Sequence, residues 1–319
     1  METVIECLDV ERTFVSRTLM GKRQETVALN GLNFSVPKGI VFGLLGPNGS
    51  GKTTTIRILS TLLTPTNGQA KVLGFDCVRE ANKVRGRIGL ILGGERGLYG
   101  RLTGRENLRY FAALNHLSRE QSNKRVKELL ELVDLAESAD RAVEQYSRGM
   151  RQRLHIARGL LTDPEVVFMD EPTIGLDPTG AQELRQLVPE LVNLGKTILL
   201  TTHYMSEADE LSNHIAIINR GKITADGSPS QIKRTFSKIC IFEVGLKKVI
   251  LEATEKLSAI GAIEKVTSVT DGPVQRLTLQ VKPDVDVKPD VEKILGEDDI
   301  EYISQRDPTL EEAYLNIIK

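Results

Sequence analysis

The chain has 319 residues, 40% of them hydrophobic and 27% charged, a composition that suits about two folded domains and excludes long disorder. Its 42 Lys and Arg against 43 Asp and Glu leave a net charge of −1, so no global field recruits nucleic acid or an anionic membrane. Apolar runs such as 40–45 and 198–200 fall far short of the roughly 20 residues that cross a bilayer, and Cys7, Cys77 and Cys240 are too widely spaced for a disulfide framework or a zinc site. Neither a membrane span nor an export leader is expected.

Alternation of apolar and polar residues over Val4–Val10 and again over 28–36 predicts two half-buried antiparallel strands, with the polar insert 16–24 as their loop. The run 40–45 reads as a buried strand ending in glycines, followed by a helix over 54–63. Between 103 and 161 the pattern turns helical, in three pieces at 107–114, 126–132 and 151–161. Short apolar runs at 166–169, 197–202 and 214–218, alternating with helix-like segments, predict an α/β core with a mostly parallel sheet. Past Ser228-Pro229 the order becomes strand 239–244, helix 247–260, strands 263–269 and 274–281, helix 287–295 and strand 300–304, the βαββαβ pattern of a small ferredoxin-like α+β domain. A last helix starts at Thr309, with Glu312 placed for a reciprocal capping box. The boundary is expected near 228–237, giving domains 1–230 and 231–319, with a helical subdomain at about 95–160.

Three segments carry chemistry. Gly46-Pro47-Asn48-Gly49-Ser50-Gly51-Lys52-Thr53, followed by Thr54, fits G-x-x-x-x-G-K-[ST] between a strand and a helix. Its glycines let backbone N–H groups converge on phosphates, Lys52 supplies a cation, and Thr53 offers an oxygen to Mg²⁺; a chance match has a probability on the order of 1%. The strand 166–169 delivers Asp170 and Glu171 to its carboxyl end, where Asp170 is placed to hold Mg²⁺ and Glu171 to polarise a water; alone, Asp-Glu-Pro equally suits a turn. Tyr146-Ser147-Arg148-Gly149-Met150 stands before a helix, where alone it reads as an ordinary serine cap.

With that third segment the chain resembles the ATP-binding subunits of ABC transporters, in particular the ABC-2-type exporter ATPases of the NatA sodium-exporter and drug-resistance kind. The resemblance spans residues 4–230 in order, and adds Gly175-Leu176-Asp177-Pro178 as the D-loop, His203 as the switch histidine and Phe14 as the adenine-stacking aromatic. It implies a P-loop ATPase core with an antiparallel β-subdomain and a helical insertion. It also implies ATP hydrolysis with Mg²⁺ in a composite site, where Lys52, Thr53, Asp170, Glu171 and His203 of one copy face Ser147, Gly149 and Asp177 of another. The implied partners are a multi-span permease on a separate chain and a second copy or a homologous ATPase subunit, at the cytoplasmic face of the membrane, without nucleic acid. The competing class is a soluble ABC ATPase acting on ribosomes, DNA or an assembly scaffold; such chains generally carry two ATPase sets, a long coiled coil or a basic surface. A catalytically weak regulatory subunit is the third reading.

The sequence departs from the family after the strand 87–92. The usual glutamine is absent; Gly94 takes its place in Gly93-Gly94-Glu95, and either Glu95 supplies the missing oxygen or it pairs with a surface arginine such as Arg96 or Arg101. The closing Pro308-Thr309-Leu310-Glu311-Glu312-Ala313-Tyr314 resembles the extension of the same exporters, for which a role in dimerisation or regulation is expected.

Overall fold

The computed structural model describes residues 2–17, 23–93, 97–236, 240–272, 274–282, 285–306 and 308–318; Gly94, Glu95 and Arg96 therefore lie outside the described residues. The chain divides into two compact units, Met1–Pro229 and Ser230–Lys319.

The first unit begins with β1 (Thr3–Arg17) and β2 (Arg23–Pro37), then β3 (Val41–Leu45), α1 (Lys52–Leu59), β4 (Asn67–Val72), β5 (Phe75–Asp76), α2 (Ala81–Arg85) and β6 (Ile88–Leu92). The helical insertion follows as α3 (Gly104–Leu114), α4 (Arg119–Leu132) and α5 (Arg148–Gly159). Then come β7 (Val166–Asp170), α6 (Pro178–Asn193), β8 (Thr197–Thr202), α7 (Met205–Leu211), β9 (His214–Asn219) and β10 (Lys222–Gly227).

Two sheets result. An antiparallel sheet runs β2-β1-β4-β5, and a six-stranded sheet runs β10-β9-β3-β8-β7-β6, parallel except for its edge strand β10. The five residues of β3 and of β7 are all buried because both faces of this sheet are covered. Phe42, Leu44, Val166, Phe168 and Leu199 join a core with the antiparallel sheet, while Val41, Val167, Met169, Ile198 and Leu200 pack on the other face with the helical insertion. Each such large side chain contributes about 1.5–3 kcal/mol by leaving water.

Strands β3, β8 and β7 are neighbours, so their carboxyl ends bring Gly46, Asp170 and Thr202 to one edge.

Pairing of β1 with β2 runs further than expected, out to Arg17 opposite Arg23, which shrinks the anticipated loop 16–24. Residues 14–16 and 24–27 are exposed, so this stretch has no buried face and leaves no alternating pattern to read. In the insertion, Thr103 with Glu106 and Ser118 with Gln121 form capping boxes that start α3 and α4. Buried Asn107 accepts from the Tyr99 N–H at 2.9 Å and donates to the carbonyls of Tyr99, Leu102 and Thr103, pinning the loop 99–103 to α3.

On α5, His155 is 1% exposed and neither ring nitrogen has a hydrogen-bond partner. Burial, helped by the charge of Arg158, pushes its imidazole down to about 4. The unfolded chain takes up that proton near pH 6.5 and the folded chain resists until about 4, so stability is lost as pH falls through this window. The full loss is about 3 kcal/mol. His155→Leu is expected to remove this component; urea unfolding of both proteins at pH 7 and pH 4.5 checks it, and an equal pH response in the two refutes it.

The second unit has β11 (Cys240–Leu246), α9 (Ala253–Ser258), β12 (Ile263–Asp271), β13 (Val274–Val281), α10 (Lys288–Leu295), β14 (Ile300–Arg306) and α11 (Leu310–Ile318); α8 (Pro229–Phe236) precedes it across the boundary. Its antiparallel sheet runs β12-β13-β11-β14, the ferredoxin-like order. The first helix is shorter than the apolar pattern over 247–260 suggested. Lys247 N–H goes instead to Asp299 O at 2.9 Å and Ile250 N–H to Gln275 Oε1 at 2.7 Å, and these bonds hold the backbone ahead of α9 in a non-helical path. The capping box before α11 forms, with Thr309 N–H to Glu312 Oε2 at 2.7 Å and Glu312 N–H to Thr309 Oγ1 at 3.2 Å.

Candidate functional site

The loop from β3 into α1 wraps a phosphate-sized cradle. Gly51 adopts φ +116°, and a Cβ there would meet Ala28 O at 2.8 Å, so only glycine turns the chain into the helix at this point. Lys52, 4% exposed, points back along the loop and donates to Gly46 O at 2.7 Å and Pro47 O at 3.2 Å. The buried Ser50 hydroxyl has no partner. Together, an ammonium held by carbonyls, an unused hydroxyl and the amides opening α1 suit a bound polyphosphate.

Across the sheet edge, Asp170 Oδ1 accepts from Thr53 Oγ1 at 3.2 Å and from Thr201 Oγ1 at 2.6 Å. Glu171 takes φ +49°, a left-handed conformation unusual outside glycine and stabilised by its N–H donating to Thr201 O at 3.0 Å and Thr201 Oγ1 at 3.1 Å. Its carboxylate meets partners different from those of Asp170. Oε1 lies 3.3 Å from Lys52 Nζ, and Oε2 lies 3.2 Å from His203 Nδ1 without hydrogen-bond alignment. The His203 ring rests against Tyr204 at 4.1 Å between centroids. At the end of the neighbouring strand β6, Gly93 donates to Asp170 O at 2.8 Å, and a Cβ at Gly93 would fall 2.2 Å from Glu171 O, so Gly93 packs against the backbone that carries the two acids.

A cavity of about 330 Å³ opens beside the cradle, lined by Asn48, Gly49, Gly51, Lys52, Thr53, Thr54 and Glu171 on one side and by Phe14 and Thr26–Ala28 on the other. Phe14 is 38% exposed, with the Arg12 guanidinium 4.7 Å from its ring centre. The structure therefore brings Phe14, the loop 46–54, Asp170, Glu171 and His203 together.

Ser147, Gly149 and Asp177 do not line this cavity. Ser147 Oγ caps α5 by accepting from Met150 N–H at 3.1 Å, and Asp177 Oδ1 caps α6 by accepting from Gly180 N–H at 3.2 Å. A Cβ on Gly149 would sit 3.7 Å from Gly180 Cα, so these two helix N-termini lie side by side as a second cluster.

Sequence reasoning missed Thr201 and Thr202, which close β8 with hydroxyls inside a buried strand, and the acid Glu207 behind them. The available signal was a Thr-Thr pair ending an otherwise aliphatic run just before His203.

The comparisons with known proteins agree with this geometry. A family model described as ABC transporter matches residues 29–174. The chain is 43% identical over 295 residues to the daunorubicin resistance ATP-binding protein DrrA3 of Streptomyces coeruleorubidus, covering 91% of this chain and 90% of that one. This chain belongs to the ABC transporter ATP-binding proteins. As such a subunit it binds and hydrolyses ATP. It is 38% identical to the ABC transporter ATP-binding protein NatA of Bacillus subtilis over 216 residues, 68% of this chain and 88% of that one. Among solved structures, an ATP-binding cassette described as a dimer in a post-hydrolysis state with ADP and Pi superposes with a TM-score of 0.62 at 26% identity, covering 70% of this chain and 98% of that one. The α/β ATPase core with its antiparallel subdomain is thus the fold of this family.

Proposed function

We propose that this chain drives an exporter, hydrolysing ATP in a head-to-tail pair with a second copy or a homologous subunit and acting on a separate multi-span permease. The observation that carries this is the split of the site: the phosphate cradle with Glu171 and His203 forms one cluster, and the paired caps at Ser147 and Asp177 form another outside its cavity. A single copy leaves each half facing open space, and a head-to-tail partner completes both.

In this reading the amides of residues 46–54, with Lys52, hold the triphosphate, and Phe14 stacks on the adenine. Thr53 Oγ1 and Asp170, hydrogen-bonded to each other at 3.2 Å beside the cradle, supply hard oxygens that would hold Mg²⁺, which would neutralise charge on the β and γ phosphates. Glu171 takes a proton from the attacking water as the water oxygen bonds to the γ-phosphorus, and the β–γ bridging oxygen leaves with ADP. His203, 3.2 Å from Glu171, orients that carboxylate and faces the γ-phosphate. Ser147 and the Gly149 N–H of the partner copy close on the same phosphate from a helix N-terminus.

The permease is expected to dock on the exposed apolar residues Leu92, Tyr99, Tyr110 and Leu114, where the rings of Tyr99, Tyr110 and Phe111 pack edge-on and tilted with centres 5.0–6.2 Å apart. Among the described residues no helix is long and apolar enough to cross a membrane, in keeping with a peripheral subunit at the cytoplasmic face. Export, rather than import, follows the drug-resistance name of DrrA3. The second unit, residues 230–319, is assigned a supporting role in dimerisation or regulation.

Affinity purification of the Glu171→Gln chain from detergent-solubilised membranes, with ATP and Mg²⁺, is expected to bring down one multi-span protein at near-equal stoichiometry. A chain that stays free of membrane proteins, or brings down ribosomes or nucleic acid, overturns the transport assignment and leaves the ATPase in place.

A further inference from the structure

One buried acid has no task in this reading. Glu207 stands on α7, four residues past His203, and is 3% exposed. Its Oε2 accepts from Thr202 Oγ1 at 2.5 Å and from Thr173 Oγ1 at 3.2 Å, while its Oε1 is buried without a partner. Thr202 Oγ1 in turn accepts from Tyr204 N–H at 3.0 Å, so hydrogen bonds flank His203 on both sides. Thr173 lies two residues beyond Glu171. One carboxylate oxygen therefore ties the segment carrying Glu171 to the segment carrying His203.

Packing alone does not account for an acid here. Burial pushes the Glu207 carboxyl above its ordinary range, opposed by the two hydroxyls and by the charges of Arg185 and His203. A buried carboxyl with one oxygen unsatisfied costs stability, and an aliphatic residue of similar size would pack without that cost. What the acid supplies is a fixed distance between two loops that leave different strands, β7 and β8.

We propose that Glu207 is a positioning residue for ATP hydrolysis, holding the Glu171 carboxylate and the His203 imidazole at their 3.2 Å separation by accepting hydrogen bonds from Thr173 and Thr202 at once. The proposal rests on the reading that Glu171 and His203 serve the reaction. It assigns Glu207 no contact with nucleotide, so its removal acts on turnover and leaves binding alone.

The test is steady-state phosphate release by the full-length chain, with ATP affinity measured separately using a fluorescent nucleotide. Glu207→Ala is expected to lower kcat about 10- to 100-fold with ATP affinity within about threefold, the cost of loosening a reacting geometry from outside it. Glu207→Gln, which keeps an acceptor oxygen for both hydroxyls, recovers kcat to within about threefold of the parent. In a His203→Ala background Glu207→Ala adds less than about twofold, because the pair it aligns is already broken. Thr173→Val and Thr202→Val delete the same bonds without opening a cavity, and give the answer if Glu207→Ala does not fold. A kcat within twofold of the parent, or effects of Glu207 and His203 that multiply independently, overturns the proposal. Glu171→Gln run alongside separates the two levels: if it abolishes turnover while Glu207→Ala does not, only the positioning role fails; if it retains turnover, the catalytic reading fails with it.

Discussion

Glu171→Gln is expected to slow ATP hydrolysis by about 10²- to 10⁴-fold while ATP affinity stays within about threefold, the range seen when a general base loses its capacity to accept a proton. The amide keeps the shape of the side chain, and the backbone that holds residue 171 at φ +49° depends on the Thr201 carbonyl and hydroxyl, which the substitution does not touch. What changes is charge. The carboxylate sits 3.3 Å from Lys52 Nζ and 3.2 Å from His203 Nδ1, and neutralising it releases the ammonium toward incoming phosphates. Binding is therefore held or tightened as turnover falls. Single-turnover phosphate release, set against fluorescent-nucleotide binding on the same preparation, reads both quantities. Turnover within tenfold of the parent would assign the proton to another acceptor and remove Glu171 from the reaction.

That pairing of Glu171 with Lys52 and His203 shows where sequence reasoning stops. The loop 46–53 was legible because its chemistry is local: glycines, lysine and threonine act together at fixed spacing on one strand–loop–helix, whatever surrounds them. Asp170 and Glu171 were legible as acids at the end of an apolar strand for the same reason. Thr201, Thr202 and Glu207 were not, since their meaning depends on β8 lying between β3 and β7, an order that pairing across the sheet decides. Fold-level reading shows the same divide. The parallel sheet and the βαββαβ order followed from buried runs, whereas the outer ends of β1 and β2 are exposed and leave no periodic mark. Over 247–252 an apolar rhythm suggested helix, and tertiary hydrogen bonds to Asp299 and Gln275 prevailed. The proposed oxygen donor at Glu95 falls outside the described residues; of that loop, Gly93 is described and donates to Asp170 O.

Lys52→Ala is expected to act on the other quantity, weakening ATP binding about 10- to 100-fold. The ammonium points into the cradle, held by Gly46 O at 2.7 Å and Pro47 O at 3.2 Å with Glu171 Oε1 at 3.3 Å. A phosphate entering the cavity replaces a neutral carbonyl with a charged acceptor, so Lys52 contributes a charge-assisted hydrogen bond to the bound state. One such bond contributes about 1.5–3 kcal/mol, and each 1.4 kcal/mol is tenfold in Kd. Lys52→Arg tests whether charge alone suffices. Lys52 is enclosed at 4% exposure, and a planar guanidinium fork does not reproduce a point donor at the end of a flexible stem, so the arginine variant is expected to bind nearly as weakly as the alanine. Titration of both variants with a fluorescent ATP analogue decides the matter. Affinity retained in Lys52→Ala would move the phosphate contact to the backbone amides, and affinity retained only in Lys52→Arg would show that the cradle opens to admit it.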